Sequence, residues 1–118
     1  MIASRAMALD LEAIANYTLG RKKLDAGTIS GEVAALGPKW SVVGDELRLD
    51  LPVKPMSAAA EVVGEAAAIA DDLDHHPTIT VEYAGVKLQI NTHDVGGLTM
   101  TDLIYAARLE RWLRKQGY

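Results

Sequence analysis

The chain has 118 residues, of which 49% are hydrophobic and 24% charged, a length and balance suited to one folded globular core rather than a disordered chain. It has no Cys, which excludes disulfides and thiolate zinc sites. Its formal net charge of −4, with no long basic run, leaves no electrostatic footprint for direct nucleic-acid binding. No apolar stretch approaches a membrane span, and Met1 to Asp10 lacks the pattern of a secretory signal, so no membrane contact and a cytoplasmic location are expected. With no Phe, two Trp and four Tyr, the core must be aliphatic and yields less buried area per side chain, which favours oligomerisation as a source of further burial.

Residues 1–26 read as an N-terminal arm preceding a domain over 27–118. Within the arm, Ala8 to Leu19 has helical character before Gly20-Arg21-Lys22-Lys23 and Ala26-Gly27 interrupt it. Thr28 or Ser30 can cap a short helix that ends near Leu36, ahead of Gly37-Pro38. Trp40 to Val43 and Glu46 to Leu51 flank Gly44-Asp45, and Leu47, Leu49 and Leu51 alternate with polar residues; this predicts a hairpin with one buried face. After Pro52 and Pro55, Ser57 can cap a second helix whose Ala59, Val62, Ala66, Ile69 and Leu73 recur at helical spacing.

Alternation resumes after that helix. Ile79, Val81 and Tyr83 lie on one face, Ala84-Gly85 turns the chain, and Val86, Leu88 and Ile90 alternate with polar residues, which predicts a second hairpin. Gly96-Gly97 permits a reversal into a last helix ending near Gln116, where Thr99 and Asp102 have capping-box spacing. The order α-β-β-α-β-β-α is that of an α+β fold, with a four-stranded antiparallel sheet carrying its helices on one face. Tyr105 and Trp112 point away from Leu103 and Ala107 on the last helix, a stripe open to subunit contact, arm docking or burial within the monomer.

All three histidines fall within nineteen residues, His75 and His76 before Pro77, and His93 one hairpin later. Pro77 disfavours helix at His76, so the pair sits where helix gives way to strand. If Thr78 pairs near Asn91, His93 approaches the pair and three imidazoles converge, side chains suited to donating and accepting protons near neutral pH. Asp71, four residues before His75, stands one helical turn away and can orient an imidazole or bond a ligand. A zinc site of Asp71, His75 and His93 is the rival reading, although the spacing matches no zinc motif. A nucleophile elbow is absent, and Gly96-Gly97 is too short for a phosphate loop.

Asp71, three residues, His75-His76-Pro77, five residues, Tyr83, nine residues, His93, eight residues and Asp102 together resemble the signature of the pterin-4a-carbinolamine dehydratases. Asp72 to Pro77, Thr92 to Thr99 and Trp40 before the first hairpin are similar to that family as well, and the likeness covers residues 28–114. It implies dehydration of 4a-hydroxytetrahydropterin to quinonoid dihydropterin in tetrahydropterin recycling, without metal or cofactor, in a homodimer or homotetramer. It further implies His75, His76 and His93 as the catalytic set, with His75 and His93 approaching the hydroxyl as proton donors and His76 mainly holding the pterin. Asp71, Pro77 and Asp94 would join His76 in binding substrate. The chain departs from the family at Ile79, near an expected aromatic, and at Leu49, Leu51, Val62 and Val63, where phenylalanines are favoured. Proteins resembling this family also serve as binding modules, including a dimerisation cofactor of a hepatocyte transcription factor and RuBisCO assembly factors, and this is the alternative function.

Overall fold

The computed structural model describes residues 18–118. In chain order the elements are α1 (Ala26–Leu36), β1 (Trp40–Val43), β2 (Glu46–Pro52), α2 (Met56–Leu73), β3 (Thr78–Glu82), β4 (Gly85–Ile90), a single 3-10 turn (His93–Val95) and α3 (Met100–Lys115). The strands form one sheet in the order β1-β2-β4-β3, every neighbouring pair antiparallel. The α+β architecture is therefore the expected one. Most of the expected helix from Ala8 to Leu19 lies outside the described residues, and its last two, Thr18 and Leu19, are not helical.

Alternation decides which face is buried. Leu47, Leu49 and Leu51 of β2 and Val86, Leu88 and Ile90 of β4 form one apolar layer with Trp40. α2 lays Ala59, Val62, Ala66, Ile69 and Leu73 against the core, all buried, as their helical spacing requires. α3 is buried almost all round from Thr101 to Ala107, and again at Leu109, Glu110 and Leu113. Such a helix belongs to the interior and not to one amphipathic surface. Tyr105 is fully buried and its hydroxyl donates to Ala66 O at 2.6 Å, so its side of the stripe is turned into the monomer. Burial, and then the Glu65 carboxylate, raise the Tyr105 phenol above its ordinary range.

Three local expectations need correction. α1 starts at Ala26 because Asp25 is its N-cap, with Oδ1 accepting from Thr28 N at 2.8 Å; Ala26 and Gly27 therefore sit in the first turn. That bond and the Thr28 hydroxyl also hold the exposed Asp25 carboxyl below its ordinary value. α2 begins at Met56, and the Pro55 carbonyl, accepting from Ala58 N and Ala59 N, opens the helix ahead of Ser57. The second hairpin turns at Tyr83-Ala84, pairing Glu82 with Gly85 and Thr78 with Gln89. Gly85 lies inside β4 at φ +146°, where a Cβ would come within 2.1 Å of Leu51 O. Close approach to β2, and not turn geometry, requires this glycine. The resulting register differs by two residues from pairing Thr78 with Asn91, so the paired residues of β3 and β4 keep their faces, but Tyr83 falls in the turn and, like Val81, is exposed.

Candidate active site

α2 ends in a way that presents His75. Asp74 adopts a left-handed conformation, φ 50° and ψ 48°, and its N–H returns to Ala70 O and Asp71 O. His75 N also donates to Ala70 O at 3.0 Å. Aspartate is one of the few residues that tolerates this conformation. His75, His76 and Pro77 follow as irregular chain before β3, as Pro77 requires.

The turn after Leu73 breaks the helical spacing that was to bring Asp71 to His75. Asp71 Oδ1 instead lies 3.8 Å from His76 Nε2, with both side chains exposed. His75 is held by a different carboxylate: its Nε2 is 2.6 Å from Asp102 Oδ1. The His75 side chain retains 13% of its surface and Asp102 none.

Asp102 is itself fixed from the other side. Its Oδ2 accepts from Thr99 N at 2.8 Å and from the Thr92 hydroxyl at 2.7 Å. Thr92 Oγ1 in turn lies 2.8 Å from Thr99 Oγ1. Since Thr92 gives its proton to the carboxylate, the Thr99 hydroxyl donates to Thr92. An ionised carboxylate only accepts, so His75 must donate through Nε2, which leaves Nδ1 as the ring nitrogen open to other chemistry. The capping box around Thr99 and Asp102 was legible as a helix start. Its second carboxylate oxygen, free to hold a histidine, was not.

Thr92 connects this anchor to the other histidine. It leaves β4, pairs with Gly97 through its N–H to Gly97 O at 2.8 Å, and is followed at once by His93 in the 3-10 turn. Gly96 closes that turn at φ +64°, a conformation suited to glycine. His93 and Asp94 are exposed, and Asp94 is paired with Arg21 from the segment before α1. His76 is exposed over 60% of its side chain, and Pro77 is half-buried. The structure thus ties His75 to the turn bearing His93 through Asp102 and Thr92, with His76 and Asp71 as an outer pair. Among the described residues no group of three or more His, Asp or Glu is placed to hold a metal ion, and Asp71 stands by His76 rather than with His75. A separate cleft of about 400 Å³ between α2 and α3, lined by residues including Glu65, Asp72, Arg108 and Trp112, contains no histidine.

The residues that depart from the family pattern have simple positions. Ile79 pairs with Leu88 and packs against the core at the outer strand. Leu49, Leu51 and Val62 are buried there, and Val63 packs against them. Sequence reasoning also missed Glu110, which is fully buried and accepts from Trp40 Nε1 at 2.9 Å, Lys39 Nζ at 2.9 Å and Arg114 Nε at 2.8 Å. Trp40 is thereby tied to α3.

Comparison with known proteins gives consistent results. The family model described as pterin 4 alpha carbinolamine dehydratase matches residues 22–112. A Chromobacterium violaceum protein named "Putative pterin-4-alpha-carbinolamine dehydratase" is 35% identical over 96 residues, which span 81% of this chain and 88% of the relative. A protein of the same name from Sulfolobus acidocaldarius is 32% identical over 89 residues, 75% of this chain and 97% of the relative. Among solved structures, a transcriptional coactivator/pterin dehydratase from Brucella melitensis superposes with a TM-score of 0.71 at 26% identity, covering 76% of this chain and 97% of that one. The chain belongs to the pterin-4a-carbinolamine dehydratase family.

Proposed function

We propose that the chain dehydrates 4a-hydroxytetrahydropterin to quinonoid dihydropterin, in tetrahydropterin recycling, by acid and base catalysis from His75 and His93. The observation that carries this reading is the His75 Nε2 to Asp102 Oδ1 contact of 2.6 Å, made to a carboxylate that is fully buried and held by two further donors. A histidine oriented by a buried carboxylate has a defined tautomer and a defined reactive nitrogen. In the reaction the bond from C4a to the hydroxyl oxygen breaks. Hydroxide is a poor leaving group, so an imidazolium gives its proton to that oxygen and water departs. A neutral imidazole takes the proton from the adjacent ring nitrogen, and the electron pair forms the new C=N bond. His75 acts through Nδ1; His93, exposed on its turn, supplies the second proton-transfer group and exchanges protons with solvent. His76, Asp71, Pro77 and Asp94 surround these two in the chain and form the pterin-holding set.

The test is dehydration of chemically generated 4a-hydroxytetrahydropterin. The intact protein accelerates it above buffer, the His75→Ala, His93→Ala double variant does not, and prior treatment with EDTA leaves the rate unchanged. A rate no greater than buffer from the intact protein contradicts the proposal, and loss with EDTA followed by recovery with zinc would reinstate the metal reading. The coactivator part of the Brucella relative's description supports a second reading, a protein-binding module. It predicts an inactive but folded protein that associates with a partner through surfaces unaffected by the histidine substitutions.

A further inference from the structure

The segment just before α1 reaches across to the chain that runs from the His93 turn into the first turn of α3 and touches it at four places: Asp94, Gly97, Leu98 and Thr101. Gly20 O accepts from the Thr101 hydroxyl at 2.9 Å. Arg21 pairs with Asp94. The stem of Lys23 lies flat over Gly97, where a Cβ would come within 2.8 Å of Lys23 Cε. Leu24 N donates to Leu98 O at 2.8 Å. We infer that residues 20–24 are a strap that positions the His93 turn and the Asp102 anchor. This inference rests on the proposed dehydratase reading.

The contacts differ in weight. Arg21 and Asp94 are both largely exposed, so their pair contributes little on its own and is weakened by salt. The two hydrogen bonds to fixed points are the structural ones: Leu98 lies just beyond Gly97, the partner of Thr92, and Thr101 precedes Asp102 in the first turn of α3. The strap therefore bears on the path from Thr92 through His93 to Asp102 beside both ends, at Gly97, which pairs with Thr92, and at Thr101, which precedes Asp102. Within that path the 3-10 turn is closed by Val95 N to Thr92 O and Gly96 N to His93 O, at 3.1 Å each. An exposed turn of this kind samples local openings easily unless something outside it bears on it. A displacement of one ångström in a proton-transfer group is enough to slow catalysis strongly. Thr101, Arg21 and Leu24 are thus positioning residues: they act through His93 and Asp102.

The experiment uses the full chain with Arg21→Ala combined with Thr101→Val, which removes the hydroxyl while preserving side-chain shape. Thr101→Ser in the Arg21→Ala background is the conservative control. In the Arg21→Ala, Thr101→Val variant, amide hydrogen exchange over residues 92–98 rises about ten-fold while β2 and β4 stay as protected as before. The kcat for dehydration falls about ten-fold relative to Arg21→Ala alone, with KM within about two-fold of that single variant, and the Thr101→Ser control recovers most of the loss in kcat and in protection. Unchanged exchange over 92–98 overturns the strap. An increase spread equally over β2 and β4 overturns it too, since that is general loss of stability, as does an unchanged kcat despite a loosened turn. If the intact protein does not dehydrate the pterin, the dehydratase reading fails and the exchange data alone decide the strap.

Discussion

Asp102 performs two tasks with two oxygens: Oδ2 completes the start of α3, and Oδ1 holds His75. Spacing along the chain marked the first task and the family signature included the residue, but the second depends on how α2 stops. Had the helix continued past Leu73, Asp71 would have been the nearer carboxylate. The left-handed Asp74 turns His75 away from it; Pro77 announces that the helix must end nearby, but not the left-handed residue that sets the direction in which His75 leaves it. Another acidic residue is legible only in the fold. Glu32 is buried on α1 with Oε2 lacking a hydrogen-bond partner among the described residues, and desolvation raises its carboxyl above the ordinary value of 4.5. A carboxyl raised on folding favours the native state only while protonated: that contribution is present below the ordinary value and is lost as pH climbs through the raised one. Glu32→Gln is therefore expected to stabilise the protein by up to about 1 kcal/mol at pH 7.5, with the gain shrinking toward pH 4. Urea midpoints at the two pH values check this, and a gain that is equal at both contradicts it.

Periodicity carried most of the fold at the scale of elements. The apolar positions of α2 and the alternation in β2 and β4 are the same residues that form the core, because burial of one face is what those patterns record. Boundaries were less legible, since they depend on contacts with other elements. Gly85 reads as a turn residue until β2 is placed beside it, and α1 begins before its expected caps because Asp25 offers a better one. α3 was legible at its start and its end, but its burial on nearly every side was not, because its buried polar residues find partners on other elements. Glu110 receives Trp40, Lys39 and Arg114, joining the entrance of β1 to the last helix. Glu110→Ala leaves the buried Trp40 Nε1 without its acceptor and is expected to lower stability by about 2 to 4 kcal/mol. Chemical denaturation measures this; a loss below about 0.5 kcal/mol would mean that the buried carboxylate is replaced by water at no cost.

At the scale of the molecule, β1 and β3 are the outer strands of the sheet among the described residues, and Val42, Val43 and Val81 on them are exposed there. Outer strands with exposed apolar side chains favour pairing with another chain. We propose a homodimer or homotetramer, and light scattering at micromolar concentration is expected to give a multiple of the 12.7 kDa chain; a monomer at that concentration contradicts it. Among the described residues no helix is long and apolar enough to cross a membrane.

The site joins distant parts of this assembly: the end of α2, the exit of β4 and the start of α3. The histidines and their spacing were visible in the chain, whereas the hydrogen-bond path from His75 through Asp102 to Thr92, the chain neighbour of His93, required the sheet and α3 to be in place. The most direct test of that path is kcat for dehydration of 4a-hydroxytetrahydropterin in a cycle of His75→Ala, Asp102→Asn and the double variant. If Asp102 acts through His75, each single change lowers kcat by about 10² to 10³, and the double variant is scarcely slower than His75→Ala alone. Full activity in Asp102→Asn, or losses that multiply in the double variant, would show that the buried carboxylate does not hold His75 for catalysis.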